Sequence, residues 1–283
     1  MVLIPGTPTL HYSITPTLPS AMNLRFDNKT ALITGAAGAI GKSIARGFAE
    51  GGARVFITDI TQASVDTAVA ELKGDRAQAA GLAANVTKEA EVKAVVDAAA
   101  KFGSGAVDIL VNVAGVVGQG KVEEITEAEW DRIFDVNCKG TFFFTKHVVP
   151  LMKAKKFGKI VNFSSKSGKT GSAIMSPYSA AKAAVIGFTQ ALAYELADFG
   201  ITVNCLCPGI TDNTGVWSNV SAGYIQNLGK SRDEVVKQFT SKVPLKRLAQ
   251  IQDIVAVTLF MSSSGADYMT GQAINVTGGR EMH

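Results

Sequence analysis

The sequence is poor in the residues that build metal centres and disulfide scaffolds. It holds three cysteines and three histidines in 283 residues. Cys138, Cys205 and Cys207 sit inside apolar segments, and no histidine stands at ligand spacing from them. Packed, reduced thiols and no metal site are therefore expected. Charge is also sparse, at 18% of residues, with a formal net charge of +4. The densest basic run, Lys153 to Lys159, offers no row of aromatics on which bases would stack, so it reads as a solvated helix end and no nucleic-acid partner is expected. No apolar run approaches the roughly 20 residues that span a bilayer, and no membrane association follows. The first 24 residues contain no Lys, Arg, Asp or Glu and are rich in Pro and Thr, including Pro5, Pro8, Pro16 and Pro19. That stretch has neither the basic start of a signal peptide nor the arginines of a transit peptide. Residues 1–23 are expected to form a disordered extension, with Met22 as a sensible second start and the cytoplasm as the default location.

What is abundant is apolar residue, 47% of the chain, enough for a large core. From residue 24 onward, short β-branched runs predict strands at Thr30–Thr34, Arg54–Thr58, Ala77–Leu82, Ile109–Asn112, Lys159–Phe163, Ile201–Cys205 and Ala273–Val276. Stretches with 3.6-residue periodicity predict helices at Ile40–Glu50, Ala63–Lys73, Glu89–Lys101, Asn137–Lys153, Pro177–Asp198 and Gln252–Met261. This alternation reads as parallel βαβ units. The strands are apolar on both sides, as they must be when helices cover both faces of a sheet. The expectation is an α/β fold, one doubly wound parallel seven-stranded sheet in a single domain over residues 24–283. Residues 209–250 interrupt the alternation and hold Trp217, Tyr224 and two short helical candidates. An insertion after the carboxyl end of a strand is where a substrate lid belongs.

The first strand runs into Thr34-Gly35-Ala36-Ala37-Gly38-Ala39-Ile40-Gly41, and a helix follows directly. Glycines permit a tight turn and close approach of a pyrophosphate, while the helix N-terminus offers free N–H groups and the positive end of its dipole. The second strand ends at Asp59, about 20 residues downstream, where a carboxylate accepts hydrogen bonds from the adenosine ribose. Its charge would repel a 2′-phosphate, and no Arg or Lys lies in the glycine loop or just after Asp59, so NAD(H) is favoured over NADP(H). Asp59 also reads as a helix N-cap for the segment after Thr61.

The strongest signal is Tyr178-Ser179-Ala180-Ala181-Lys182, with Ser165 thirteen residues before Tyr178. Positions four apart share a helix face, so Tyr178 and Lys182 point the same way. A phenol with a pKa near 10 is a poor base at neutral pH. A neighbouring ammonium, together with a positive nicotinamide ring, would lower that value and let Tyr178 take a proton from an alcohol while hydride leaves its carbon. Ser165, at the end of the fifth strand, would hold the substrate oxygen against Tyr178.

The Thr34–Gly41 loop, Asn112-Val113-Ala114-Gly115, Asn137, Ser165, Tyr178, Lys182 and Pro208-Gly209 together resemble the short-chain dehydrogenase/reductase family, in order and spacing over nearly the whole chain. The resemblance implies a Rossmann-like fold and a catalytic tetrad of Asn137, Ser165, Tyr178 and Lys182. It implies that Asn137 holds a water in a proton relay through Lys182, that Lys182 hydrogen-bonds the nicotinamide ribose, and that the backbone of Pro208, Gly209 and Ile210 meets the carboxamide. Asn137 also reads as a cap for the helix after it, and the two roles are compatible. The implied cofactor-binding set is Gly35, Gly38, Ala39, Ile40, Gly41, Asp59, Ile60, Asn85, Val86, Asn112, Ala114, Gly115, Tyr178, Lys182, Pro208, Gly209 and Ile210. Departures from the family pattern are Ala39 at the middle glycine, with Gly38 one position early, Asn85 for the Asp that meets the adenine amine, Val113 for the second Asn, Asn213 for the usual Thr, and Thr277 before the C-terminal Gly-Gly.

The resemblance is nearest to polyol, sugar and acetoin-type dehydrogenases. Val116, Val117, Gln119, Met175, Ile210, Trp217 and Tyr224 are candidate substrate-lining residues in a partly apolar pocket. Lys166 and Lys169, beside Ser165, either recruit an anionic substrate or are simply solvated. A 3-oxoacyl thioester reductase and a non-catalytic dinucleotide sensor are the competing readings. The resemblance also implies a homotetramer, built through the long helices near Asn137–Lys153 and Pro177–Asp198, where Ala180, Ala181, Ala184 and Gly187 permit close packing, either between copies or within an ordinary intrachain core.

Overall fold

The computed structural model describes residues 24–74, 77–215, 217, 221, 225 and 231–283. The predicted N-terminal extension and Tyr224 lie outside the described residues. The strands are β1 (Thr30–Thr34), β2 (Arg54–Thr58), β3 (Ala79–Gly81), β4 (Ile109–Asn112), β5 (Gly158–Phe163), β6 (Ile201–Pro208) and β7 (Ala273–Val276). They form one seven-stranded sheet in the order β3-β2-β1-β4-β5-β6-β7, with every pairing parallel. This is the doubly wound sheet that the alternating pattern predicts.

Side-chain alternation along the strands distributes the core between two helix layers. Ala31 and Ile33 of β1, Val55 and Ile57 of β2, and Ile109 and Val111 of β4 face one way. They pack against α1 (Ala39–Glu50) through Ile44 and Phe48, α2 (Gln62–Gly74) through Val65 and Leu72, and, further along the same layer, Ile254 and Met261. The intervening Leu32, Phe56 and Leu110 face the other way, with Ile160 and Val203. They meet Val92 and Val96 of α3 (Glu89–Phe102) and the second layer's Phe144, Met152 and Leu196. Each fully buried Leu, Ile or Phe contributes about 1.5–3 kcal/mol.

The remaining helices are α4 (Glu127–Phe134), α5 (Gly140–Lys155), α6 (Lys166–Thr170), α7 (Ser176–Leu196), α8 (Arg232–Ser241) and α9 (Ile251–Ser262). The predicted helix starting at Asn137 is corrected here. A π turn over Asp135–Lys139 joins α4 to α5 without a break. The N-cap is Thr126, whose hydroxyl accepts from the Glu129 amide at 3.2 Å, so Asn137 lies inside the helical run and caps nothing. Periodicity hid this because a π turn carries an extra residue and breaks the 3.6 phase.

The segment after β6 is closed at its neck, where Ala249 N donates to Ile210 O at 3.0 Å and Asp212 N donates to Ala249 O at 2.9 Å. Trp217, Val235 of α8 and Leu248 form a small core of their own there. Among the described residues no helix is long and apolar enough to cross a membrane.

Candidate active site

The carboxyl ends of the central strands open into a cavity of about 1110 Å³. A pocket for one small ligand runs to roughly 300–1,000 Å³, so this cavity lies just above the upper end of that range. Its position over β1 and β4 is the switch point where crossovers leave the sheet in opposite directions.

One half is a cradle without side chains. Gly35 turns at φ +63°, and a Cβ there would stand 2.8 Å from Ala114 Cα. A Cβ on Gly41 would come within 2.4 Å of Gly35 O. Only glycine allows the loop and α1 to approach this closely. Thr34 Oγ1 accepts from both Val113 N and Ala114 N at 3.1 Å, tying the turn after β4 to this loop. Gly38 is the N-cap of α1 and supplies no side-chain cap, so the first-turn amides remain available to an anion. Asp59 Oδ2 accepts from Ala37 N at 2.9 Å and Oδ1 from Ile60 N at 2.7 Å, which fixes the carboxylate against the loop at the cavity wall. Asp59 does not cap α2; the Thr61 hydroxyl takes that place, accepting from Ser64 N at 3.4 Å. The cradle, its uncapped amides and the anchored acid fit a nicotinamide dinucleotide.

Gly35, Gly38, Ala39, Ile40, Gly41, Asp59, Ile60, Asn85, Val86, Ala114, Gly115, Pro208, Gly209 and Ile210 all line this cavity. Asn112 does not. Its amide donates to Asn162 Oδ1 at 2.9 Å and to Thr145 Oγ1 at 3.4 Å, a buried brace between β4, β5 and α5. Asn85 lines the wall, yet its side-chain oxygen already accepts from Thr87 N at 3.0 Å and Thr87 Oγ1 at 2.8 Å. An amide oxygen has two lone pairs, so the predicted acceptor for an adenine amine is spent on an Asx turn.

The second half gathers the four predicted catalytic residues on one wall. Ser165 caps α6, its hydroxyl accepting from Ser167 N at 3.1 Å. Tyr178, in the first turn of α7, lies close enough to Ser165 for the serine hydroxyl to act on its phenol. Lys182 Nζ lies 5.7 Å from the Tyr178 ring centroid and donates to Phe163 O at 2.8 Å. Asn137 Nδ2 donates to Val116 O and Ile133 O, each at 2.9 Å. Its Oδ1 is buried with no hydrogen-bond partner among the described residues, an acceptor free for a water or ligand.

Burial pushes the Tyr178 phenol above its ordinary value, and the nearby Ser165 hydroxyl pulls it down. Burial is thus the larger influence on the phenol itself, and the expected acidification by Lys182 together with a positive nicotinamide ring opposes it. Burial likewise pulls Lys182 down to about 8, against the opposing influence of Cys205, Cys138 and Cys207 around it.

A family model described as short chain dehydrogenase matches residues 29–224. The chain belongs to the short-chain dehydrogenase family. This short-chain dehydrogenase is 39% identical over 260 residues to a galactitol 2-dehydrogenase of Agrobacterium fabrum, covering 92% of this chain and 100% of the relative. It is 36% identical over 261 residues to a sorbitol dehydrogenase of Cereibacter sphaeroides, covering 92% and 100%. Among solved structures it is similar to an actinorhodin polyketide ketoreductase with NADPH, at 36% identity and a TM-score of 0.86, covering 89% of this chain and 97% of that one.

Val116, Val117, Met175, Ile210 and Trp217 line the substrate half as predicted, whereas Gln119 does not. Lys166 lines it and Lys169 does not. Sequence reading missed Thr34, Lys242 and Arg280. Thr34 had a legible signal, a hydroxyl at the last position of a strand before a turn. Lys242 and Arg280 had none, since nothing in their local sequence sets them beside Lys166.

Proposed function

We propose that this short-chain dehydrogenase interconverts a secondary alcohol of the polyol, sugar or hydroxyketone type and its ketone, with NAD(H) as cofactor. The observation that carries the reading is that Ser165, Tyr178, Lys182 and Asn137 line a cavity continuous with the glycine cradle. A bound nicotinamide supplies the position that accepts or donates hydride. In oxidation, Ser165 holds the substrate oxygen and Tyr178 takes its proton; in reduction, Tyr178 returns it. With its pKa near 8, Lys182 is mostly protonated at neutral pH, and its charge favours the phenolate. Asn137 Oδ1 supports a water that passes the proton onward. The fixed carboxylate of Asp59 supports NAD over NADP, because a 2′-phosphate would meet like charge.

The polyol names of two relatives and the partly apolar lining support the substrate class. The likeness to a ketoreductase with NADPH favours a second reading, reduction of 3-oxoacyl thioesters. Assembly of copies through α5 and α7 belongs to the same reading; the exposed Ala184 and Gly187, beside the Phe142–Phe188 ring contact, support it. Sedimentation that gives a monomer would remove it.

Steady-state oxidation of a panel of polyols and diols with NAD and NADP tests the function, with Tyr178→Phe as the control. Turnover with NAD that collapses in the folded, dinucleotide-binding variant is expected. Full turnover in Tyr178→Phe would overturn the proton-transfer role. Turnover restricted to thioesters with NADPH would replace the first reading by the second, and dinucleotide binding without any turnover would favour a sensor.

A further inference from the structure

The substrate half of the cavity is lined by Lys166, Lys242 and Arg280, cations brought together from three separate parts of the chain. Lys166 opens α6 directly after Ser165, Lys242 is the C-cap of α8, and Arg280 follows β7. The Lys166 and Arg280 side chains are 13% and 19% exposed. The Arg280 guanidinium is held in place, with Nε 3.3 Å from Glu281 Oε1 and Cζ 5.7 Å from the centre of the Phe239 ring. Glu281 Oε1 also stands 4.0 Å from Lys166 Nζ. One buried carboxylate thus faces two of the cations, and the three lysine and arginine charges outnumber it. The acid among the cavity-lining residues is Asp59, which belongs to the cradle at the other end.

Gathering like charges on a half-buried wall is unfavourable unless an anion joins them. The strain registers on Lys166, whose pKa is lowered first by burial and then by Arg280, with Lys242 contributing after Glu281 has opposed it. A second observation is independent of charge. Trp217 lines the same cavity, is 3% exposed, and its indole N–H has no hydrogen-bond partner among the described residues. A buried donor without an acceptor is costly, and a ligand oxygen would satisfy it.

We propose that this wall is an anion subsite, so that the substrate carries a carboxylate or a phosphate monoester in addition to its reacting secondary alcohol. The inference rests on the alcohol–ketone reading above and narrows its substrate class. Lys166 and Ser165 are consecutive, which ties the anion and the reacting carbon to one small molecule. Arg280 supplies the planar fork that matches either anion, and the lysines add point charges.

The test compares kcat/KM with NAD for sorbitol, gluconate and sorbitol 6-phosphate on the full chain. At least one anionic compound should exceed sorbitol by tenfold or more, and which one does so distinguishes carboxylate from phosphate. That ratio should fall at least tenfold in Arg280→Gln and in Lys242→Gln, and it should fall with added salt. Lys242 is exposed and its replacement is a mild change for folding. Inorganic phosphate binding by titration calorimetry gives a readout without turnover, and it should weaken in both variants. Sorbitol used as well as the anions, with no change of ratio in either variant, would overturn the subsite and leave the alcohol chemistry intact. Phosphate binding that is lost in both variants, with no compound turned over, would uphold the subsite and overturn the alcohol reading. Turnover of a 3-oxoacyl N-acetylcysteamine thioester, which carries no anionic group, with NADPH alone would overturn both.

Discussion

A methyl group on Gly115 would stand 2.7 Å from Asn137 Oδ1 and 3.2 Å from Lys182 Nζ. The turn after β4, the π turn between α4 and α5, and α7 meet at this point, and glycine is what lets them. The contact below 3 Å forces the Asn137 amide to move, and the ammonium at 3.2 Å must also give slightly. Gly115→Ala should therefore lower kcat by about ten- to a hundredfold, the cost of a displacement approaching 1 Å at a reacting centre. Steady-state kinetics beside a melting curve check this; unchanged kcat would show that the Asn137–Lys182 spacing is irrelevant to turnover.

Asp59→Asn keeps an oxygen for the Ala37 amide and removes the charge. A like charge some 4–5 Å away at an effective dielectric constant near 20 is worth about 3–4 kcal/mol at most. The ratio of kcat/KM for NAD over NADP should accordingly drop by roughly ten- to a hundredfold. A ratio that does not move would place cofactor choice elsewhere.

Lys182 makes opposite contributions to stability and activity. Its folded pKa is about 8 against an ordinary 10.5. Below pH 8 both states are protonated and the fold carries a buried charge. Between pH 8 and 10.5 the folded protein releases the proton that the unfolded chain still holds, so unfolding free energy rises with pH across that window. A shift of this size corresponds to about 3 kcal/mol, from which the lost bond to Phe163 O takes about 1. Lys182→Met should thus be nearly inactive yet about 1–2 kcal/mol more stable at pH 7, an advantage that disappears towards pH 10.5. Denaturant titrations at pH 7 and pH 10 measure it; a variant less stable than the parent at pH 7 would contradict the burial argument.

Thr34→Val preserves shape and deletes the acceptor shared by Val113 N and Ala114 N. Leaving these half-buried amides unsatisfied costs about 1 kcal/mol, towards the low end for an unmade hydrogen bond. For a chain of this size each kcal/mol lowers Tm by roughly 2–4 °C. The KM for NAD should rise as well, because this hydroxyl aligns the cradle with the turn after β4. A thermal melt and an NAD titration would settle whether both effects occur.

The strands and their parallel arrangement were legible because a sheet covered on both faces leaves continuous apolar runs, and Leu32, Phe56 and Leu110 against Ile33, Ile57 and Val111 obey the two-residue period. Tyr178 and Lys182 were legible for the same kind of reason, since helix geometry puts residues four apart on one face. Asn137 was misread as a helix start because its π turn breaks the periodicity, and Asn85 was assigned an acceptor that Thr87 had already taken. Asn112 has a sequence position typical of a ligand and a structural position inside the sheet.

What the chain determined alone is whatever depends on neighbours in sequence: the strand and helix periods, the glycine turn before α1, and the shared face of Tyr178 and Lys182. What only the tertiary structure decided depends on distance between remote segments. That Lys166, Lys242 and Arg280 meet on one wall, with Glu281 facing two of them, follows from where α6, α8 and the end of β7 come to rest. The physical reason is that periodicity records only which way a side chain leaves its own backbone. Charge, burial and hydrogen bonding depend on what lies opposite, and packing alone supplies that.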